Sequence, residues 1–444
     1  MRVKIIGGGL AGSEAALQLA KAGIDVDLYE MRPEISTGAH KTDYLAEIVC
    51  SNSLGSNDSE SSSGLLKQEL RLLGSYLIKT ADECKVPAGN ALAVDRELFS
   101  KKITDLINLN PKINLIRQEI TDIPPDAPTI IATGPLTSDK FSKKLSDFTG
   151  IEHLYFFDAI APIVEKDSIN FDAAFFANRY DKGEPAYINC HMNENEYNKF
   201  YEILINSPKI ELKDFEQKSK FFESCLPVEV IASRGKDTLR FGPMKPVGLI
   251  DPRTQKESYA VVQLRQDNMS ASLYNLVGFQ TNLKWPAQKE LLQSIPGLEN
   301  ASIVRFGVMH RNTFIHSPSV LNPTLQAKSR EDLFFGGQIT GVEGYTESIA
   351  TGMTAGINMA RFLSGKSLIT LDSSTMLGAL CNYISFSGHE KFQPMNSNWG
   401  IIKPLEADRK ILKNKKLRNK LYSERSLNYL EEFLKNNEEF CLND

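Results

Sequence analysis

The spacing of apolar positions changes twice within the first thirty residues. VKIIG is a short apolar strand, SEAALQLAKAG follows a glycine turn with helical spacing and closes at Gly23, and IDVDLYE is a second strand ending on Glu30. Further on, residues 51–64 (SNSLGSNDSESSSG) hold seven serines and almost nothing apolar, which predicts a flexible surface loop. LLKQELRLLG then returns to helical spacing, and PTIIATGP reads as a buried strand entering a Gly-Pro turn.

Between about residues 160 and 300 short strand-like runs (AYINC, YAVVQL) mix with charged helical ones (NEYNKFYEIL). DLFFGGQITGVEGYTESIATGMTAGINMA restores the first style, with an apolar strand, a glycine-dense turn and a small-residue helix. The pattern predicts an α/β protein: a Rossmann-like dinucleotide domain built from both ends of the chain, with an inserted α+β domain. The divisions are 1–160, 161–300 for the insert, 301–402 for the returning part, and a basic helical tail at 403–444.

Gly7, Gly9 and Gly12 fit G-x-G-x-x-G between a strand and a helix, with the acidic Glu30 about twenty residues on. The glycines permit a tight turn and let a pyrophosphate approach the free N–H groups of the helix start, around Gly8, Leu10 and Ala11. Glu30 would accept a hydrogen bond from a ribose hydroxyl. A glycine-rich segment late in the chain gives a long cofactor a second contact, which favours FAD over NAD.

Composition narrows the class. The chain has 444 residues, 41% hydrophobic and 24% charged, enough for more than one core and ordinary for a globular protein. It has no apolar run of membrane-spanning length, and MRVKIIGGG lacks the apolar region of a signal peptide, so a cytoplasmic location is expected. Net charge of -4 exerts no global pull on nucleic acid. Locally, Lys403 to Lys420 carries eight Lys or Arg against two acidic residues, a net of +6. That segment is either a solvated helix or one that contacts phosphates. The six cysteines are scattered without a C-x-x-C pair, which disfavours zinc and a disulfide framework, and no histidine spacing suggests another metal. Cys225, in FFESCLPVEVIASRG, remains on these grounds either an inert buried thiol or a reactive one.

Ten segments together resemble the flavin- and folate-dependent tRNA (uracil-5-)-methyltransferase family of bacteria. They are IIGGGLAGSEAA, YEMRP, IVCSNSL, VPAGNALAVDRELFS, FDAIAPIV, CLPVEVIASRGKDTLRFGPMKPVGL, VGFQTNLKWPAQK, MHRNTFI, FFGGQITGVEGYTESIATG and FQPMNSNWGI, and the likeness runs to about residue 425. Departures are Gly55 where arginine usually follows CSNSL, the serine-rich loop, and His191 where proline is usual. The related glucose-inhibited-division-A family shares the first fingerprint.

The resemblance implies formation of 5-methyluridine in the T-loop of tRNA, with carbon from 5,10-methylenetetrahydrofolate and electrons from NAD(P)H by way of FAD. The same chemistry on a ribosomal RNA uridine, or FAD-dependent oxidation of a small metabolite, are the alternatives. Carbon 5 of uracil is a poor nucleophile until a thiolate adds to C6, so covalent catalysis is needed. The resemblance makes Cys225 the candidate nucleophile and Cys50 its partner, as general base at C5 or as a thiol that protects or exchanges with the first. Arg234, Lys236 and Arg240 are candidates to stabilise a thiolate. The resemblance also implies that Tyr345 covers the flavin ring, that Arg32, Gly134, Gly336, Gly337 and Gly344 belong to the cofactor site, and that His310 and Arg311 bind folate or RNA. With an RNA substrate in view, Lys413, Lys415, Lys416 and Arg418 become candidate phosphate contacts.

Overall fold

In the computed structural model the described residues are 2–150, 154–181, 184–210, 220–221, 226–307, 309–388 and 392–437. Strand β1 (Val3–Ile6), helix α1 (Leu10–Lys21) and strand β2 (Val26–Glu30) form in that order, as the apolar spacing predicts. Gly23 turns the chain between α1 and β2 with φ of +78°, a conformation that glycine adopts without strain.

One six-stranded sheet runs in the order Gln326–Ala327, Arg330–Phe335, Thr129–Ile131, β1, β2, Ile113–Arg117. Its last five strands are mutually parallel. Numbered along the chain, those five lie 3-2-1-4-5, the order of a dinucleotide-binding sheet, and the fifth arrives from residue 330 onward. Both ends of the chain therefore build this sheet. Helix α1 covers it together with the helix Tyr345–Leu363. These two helices approach so closely that a Cβ on Gly352 would lie 2.3 Å from the Ala11 carbonyl oxygen. The small residues of SIATGMTAG are thus a packing requirement.

The middle of the chain forms a second six-stranded sheet, ordered Ala174–Ala177, Tyr187–Met192, Ala260–Gln266, Leu273–Leu276, Ile163–Glu165, Ile303–Arg305. Its pairings are antiparallel. Helices Glu194–Asn206 and Trp285–Gln293 supply Tyr197, Phe200, Leu291 and Leu292 to its core. The chain leaves the first sheet along Leu154–Ala159 and returns along Met309–Phe314, and these two strands pair antiparallel with each other. The outgoing and returning segments are therefore hydrogen-bonded as one passage.

The serine-rich segment is not the flexible loop its composition predicts. Ser53–Ser56 is a strand paired with Ala91–Val94, and Ser61 caps helix α2 (Ser62–Leu72) by accepting the Gly64 N–H. The Ser62 hydroxyl donates to the Ser397 carbonyl at 3.0 Å, and the buried Lys67 ammonium donates to the Ser63 hydroxyl at 2.8 Å. From the far end of the chain, Asn419 and Ser423 donate to the carbonyls of Glu60 and Ser59. Short hydroxyl side chains satisfy backbone groups locally, so a serine run can be ordered when a neighbour accepts the remainder. The neighbour is the helix Lys415–Lys435.

Glu69 on α2 anchors the same region. It accepts the N–H groups of Met376 and Leu377 at 2.7 and 2.8 Å, at the start of helix Met376–Ser385, and the hydroxyl of Ser426. No described helix is long and apolar enough to cross a membrane.

Candidate active site

A cleft lies at the carboxyl ends of β1 and Thr129–Ile131, where the strand order reverses. That reversal opens a crevice between loops that leave in opposite directions. Gly7 sits there with φ of +106°, and a Cβ on it would lie 2.4 Å from the Ala132 carbonyl oxygen. A Cβ on Gly12 would lie 1.8 Å from the Gly7 carbonyl oxygen, so α1 begins in contact with the turn only because both residues are glycine. Gly9 is the N-cap of α1 and provides no side-chain cap, leaving first-turn N–H groups available to an anion.

Glu30, at the end of β2, is buried and borders the cleft. One carboxylate oxygen accepts the Gly8 N–H at 3.0 Å; the other accepts from the Arg32 backbone and guanidinium at 3.1 and 3.0 Å. Burial acts to raise the carboxyl pKa, and the Arg32 cation and these hydrogen bonds outweigh it, holding Glu30 below the usual carboxylate range. Arg32 is in turn paired with Glu47 at 3.0 Å. A cradle of backbone N–H groups next to a fixed carboxylate matches the pyrophosphate and ribose of a dinucleotide. Among the described residues no group of His, Cys, Asp or Glu could hold a metal ion.

Cys50 lies beside this cleft. It is partly buried against the cluster of Ala39, Val49 and Ile160, on which Leu136 also packs, and Val49 and Leu136 line the cleft. Tyr345, in the first turn of the long helix, also lines it, and its hydroxyl oxygen accepts the N–H groups of Cys50 and Ser51 at 2.7 and 3.3 Å. Burial pushes the Tyr345 phenol well above its ordinary pKa, so it stays neutral. Two guanidiniums adjoin. Arg96 donates to the Val49 carbonyl at 3.0 Å, and Arg305 donates to the Ala39 carbonyl at 2.9 Å. Burial depresses the Arg305 pKa, with the like charge of Arg96 adding to the effect.

The cleft and the thiol loop can be set beside known proteins. The chain matches the family described as "Glucose inhibited division protein A" over residues 2–367. It is 57% identical over 425 residues to the methylenetetrahydrofolate–tRNA-(uracil-5-)-methyltransferase TrmFO of Bacillus velezensis, covering 96% of this chain and 97% of that protein. The chain belongs to the TrmFO family. TrmFO of Anoxybacillus flavithermus is 56% identical over 435 residues, 98% of this chain and all of that one (100%). In fold, the chain is similar to GidA from Aquifex aeolicus, with a TM-score of 0.69 at 19% identity over 98% of this chain and 76% of that one.

Of the two cysteines that the TrmFO resemblance singles out, only Cys50 can be placed, since Cys225 lies outside the described residues, as does Cys441. Leu226, next along the chain, is buried, and a short helix Val228–Ser233 follows. Cys84, Cys190 and Cys381 are buried, and burial pushes the Cys190 and Cys381 thiols up, the latter to about 12. Arg240 lies 3.5 Å from the Tyr259 ring centroid and donates to the Tyr259 carbonyl. Arg234 and Lys236 are exposed. The backbone of His310 and Arg311 belongs to the strand Met309–Phe314; their side chains are outside the described residues.

The glycines divide into two groups. Gly7, Gly9, Gly134 and Gly337 line the cleft with Leu10, Ala11, Glu30, Arg32 and Tyr345. Gly8, Gly12, Gly336 and Gly344 shape it from behind: Gly336 packs on Gly352, and Gly344 is the N-cap of the long helix. Sequence reading missed Gln118–Ile120, Thr133, Pro135–Ser138, Gln338 and Ser348, which also line the cleft. ATGP at the carboxyl end of a buried strand was the available signal for Thr133 and Pro135–Ser138, and nothing local marked Gln118–Ile120.

Lys413, Lys415 and Lys416 are exposed at the junction of helices Arg409–Lys413 and Lys415–Lys435; Arg418 is half-buried and donates to the Leu412 carbonyl at 3.4 Å. The helix Lys415–Lys435 therefore starts with cations and has no acidic residue in its first turn. That arrangement opposes the helix dipole.

Proposed function

We propose that this chain methylates uracil C5 in tRNA, converting the T-loop uridine to 5-methyluridine with methylenetetrahydrofolate as carbon donor and NAD(P)H as reductant, in the cytoplasm. The observation that carries this reading is the contact between Cys50 and Tyr345, which sets a thiol loop directly against a dinucleotide cleft. A small-metabolite flavin oxidase has no use for that thiol, and the family's name specifies tRNA ahead of ribosomal RNA.

FAD fits the cleft, and when bound it supplies the redox chemistry. Its pyrophosphate would lie against Gly7, Gly9, Leu10 and Ala11 at the start of α1, with Gly8 and Gly12 allowing the close turn. Glu30, oriented by Arg32, would accept from the ribose. Gly134 and Gly337 would border the cofactor, Gly336 and Gly344 would set the backbone of the late segment, and Tyr345 would cover the ring. These assignments go with a division of the chain into cofactor parts at 1–160 and 301–402, an insert at 161–300 and a basic tail from 403.

The chain's own chemistry is thiol chemistry. In this reading the Cys225 thiolate adds to uracil C6, which makes C5 nucleophilic, and elimination at the end restores the ring. In the same reading Cys50 takes the C5 proton. Lys413, Lys415, Lys416 and Arg418 contact RNA phosphates, which accounts for cations at a helix end where they reduce stability.

The test is 5-methyluridine formation in a tRNA transcript by the purified yellow protein with methylenetetrahydrofolate and NAD(P)H. Product is expected only when folate is present, and Cys225→Ala should lose it while retaining FAD. Folate-independent product, or full activity in that variant, would overturn the proposal.

A further inference from the structure

The segment Ile48–Asn52 is held on both sides of Cys50 by side chains from distant parts of the chain. On one side Arg96, the first residue of helix Arg96–Leu109, donates through Nη1 to the carbonyls of Val49 at 3.0 Å and Ile48 at 3.4 Å. The same guanidinium donates through Nε and Nη2 to Oδ1 of Asp267 at 3.1 and 3.0 Å. On the other side Asn52, fully buried, accepts from Arg265 and Asn275 at 3.0 Å each and donates to the carbonyls of Val94 and Gln266 at 3.1 and 2.8 Å. Asn275 closes the ring by donating to Asp267 Oδ1 at 2.9 Å.

The holders Arg265, Asp267 and Asn275 all come from the inserted sheet or its edge, whereas Arg96 precedes it in the chain. The Arg96–Asp267 pair is largely shielded, with side-chain exposures of 11% and 6%. A shielded ion pair stabilises little by itself, because desolvation offsets its attraction. Its effect is on geometry: a planar guanidinium that spans two carbonyls and a carboxylate has one orientation.

We infer that Arg96 and Asp267 are positioning residues for the Cys50 thiol, fixing its loop against the cleft from the inserted sheet. This rests on the reading of Cys50 as a chemically used thiol. A reacting group displaced by about 1 Å loses on the order of a hundredfold in rate, so a clamp on the two carbonyls preceding the thiol acts on the chemical step rather than on RNA binding.

The experiment uses the full-length FAD-loaded protein, with Arg96→Gln, Arg96→Lys and Asp267→Asn compared with wild type. Three quantities are read: kcat and KM for a tRNA transcript, flavin content, and the rate of iodoacetamide alkylation at Cys50 as a function of pH, followed by peptide mass. Arg96→Gln is expected to lower kcat by roughly ten- to a hundredfold with KM within about twofold, and to change the rate of Cys50 alkylation as the loop loses its single orientation. Arg96→Lys, which keeps the charge but not the fork, is expected to recover kcat only in part. Asp267→Asn keeps the shape and an acceptor, and a fall in kcat without loss of flavin is expected should Arg96→Gln fail to fold. Unchanged kcat and alkylation in Arg96→Gln, or losses confined to thermal stability and flavin content, would overturn the inference. If wild type makes no 5-methyluridine the functional reading fails, while the alkylation profiles still report whether Arg96 governs Cys50.

Discussion

The Tyr345 hydroxyl accepts the backbone N–H of Cys50 at 2.7 Å across 295 residues of sequence. One residue begins the late cofactor-side helix and the other lies in the first third of the chain, so neither has this neighbour until both ends meet in one sheet.

Tyr345→Phe removes that acceptor and leaves the ring. A hydrogen bond of this kind contributes about 1 kcal/mol net, and the orphaned N–H of Cys50 adds to the loss. Flavin content should stay near wild type while 5-methyluridine formation falls by roughly tenfold. Equal activity in the two proteins would mean that Cys50 is held without the tyrosine.

Native thiol labelling should separate the cysteines by burial. At pH 8, Cys50 is expected to react with iodoacetamide, whereas Cys84, Cys190 and Cys381 stay unmodified, since burial disfavours the thiolate in each of the three. Peptide mass after labelling gives the answer. Modification of Cys190 or Cys381 at a rate like that of Cys50 would contradict the packing described above.

Glu69 makes stability depend on pH. Its carboxyl titrates near 4.5 in the unfolded chain and near about 7 when folded, chiefly because it is buried. Between those values the folded protein keeps a proton that the unfolded chain has lost. Stability from this group is therefore complete below the lower value and lost as pH rises through the upper one, a change of about 3 kcal/mol. Thermal unfolding of Glu69→Gln should show a flatter dependence between pH 5 and 8 than wild type. Parallel curves would remove Glu69 as the cause.

Salt titration addresses the basic tail. Replacing Lys413, Lys415, Lys416 and Arg418 by Gln should weaken tRNA binding and reduce the slope of log K against log[salt] by about 3. An unchanged slope would leave these cations as a solvated surface.

Local order and long-range order were unequally legible. The unit β1–α1–β2 could be read directly, because its turn glycines, apolar spacing and Glu30 act within thirty residues of each other. The glycine-dense turn before Tyr345 was readable for the same reason. The serine-rich segment was misread, because the groups that order it, Asn419, Ser423 and the Ser397 carbonyl, lie more than 300 residues away. The Cys50 environment was equally hidden. VCSNSL identifies a thiol through family likeness, yet nothing in that hexapeptide announces Arg96, Asp267 or Tyr345 as its holders.

By itself, then, the sequence determined the α/β class, the position of the dinucleotide turn and the family. Each is a matter of residue types at short, fixed separations, where backbone geometry leaves few alternatives. The tertiary structure alone decided that Cys50 lies beside the cleft, what holds its loop, and how the serine segment is ordered. Hydrogen-bond partners drawn from both ends of the chain and from the inserted sheet become neighbours only when the sheets close, and their pairing depends on that closure rather than on any local pattern.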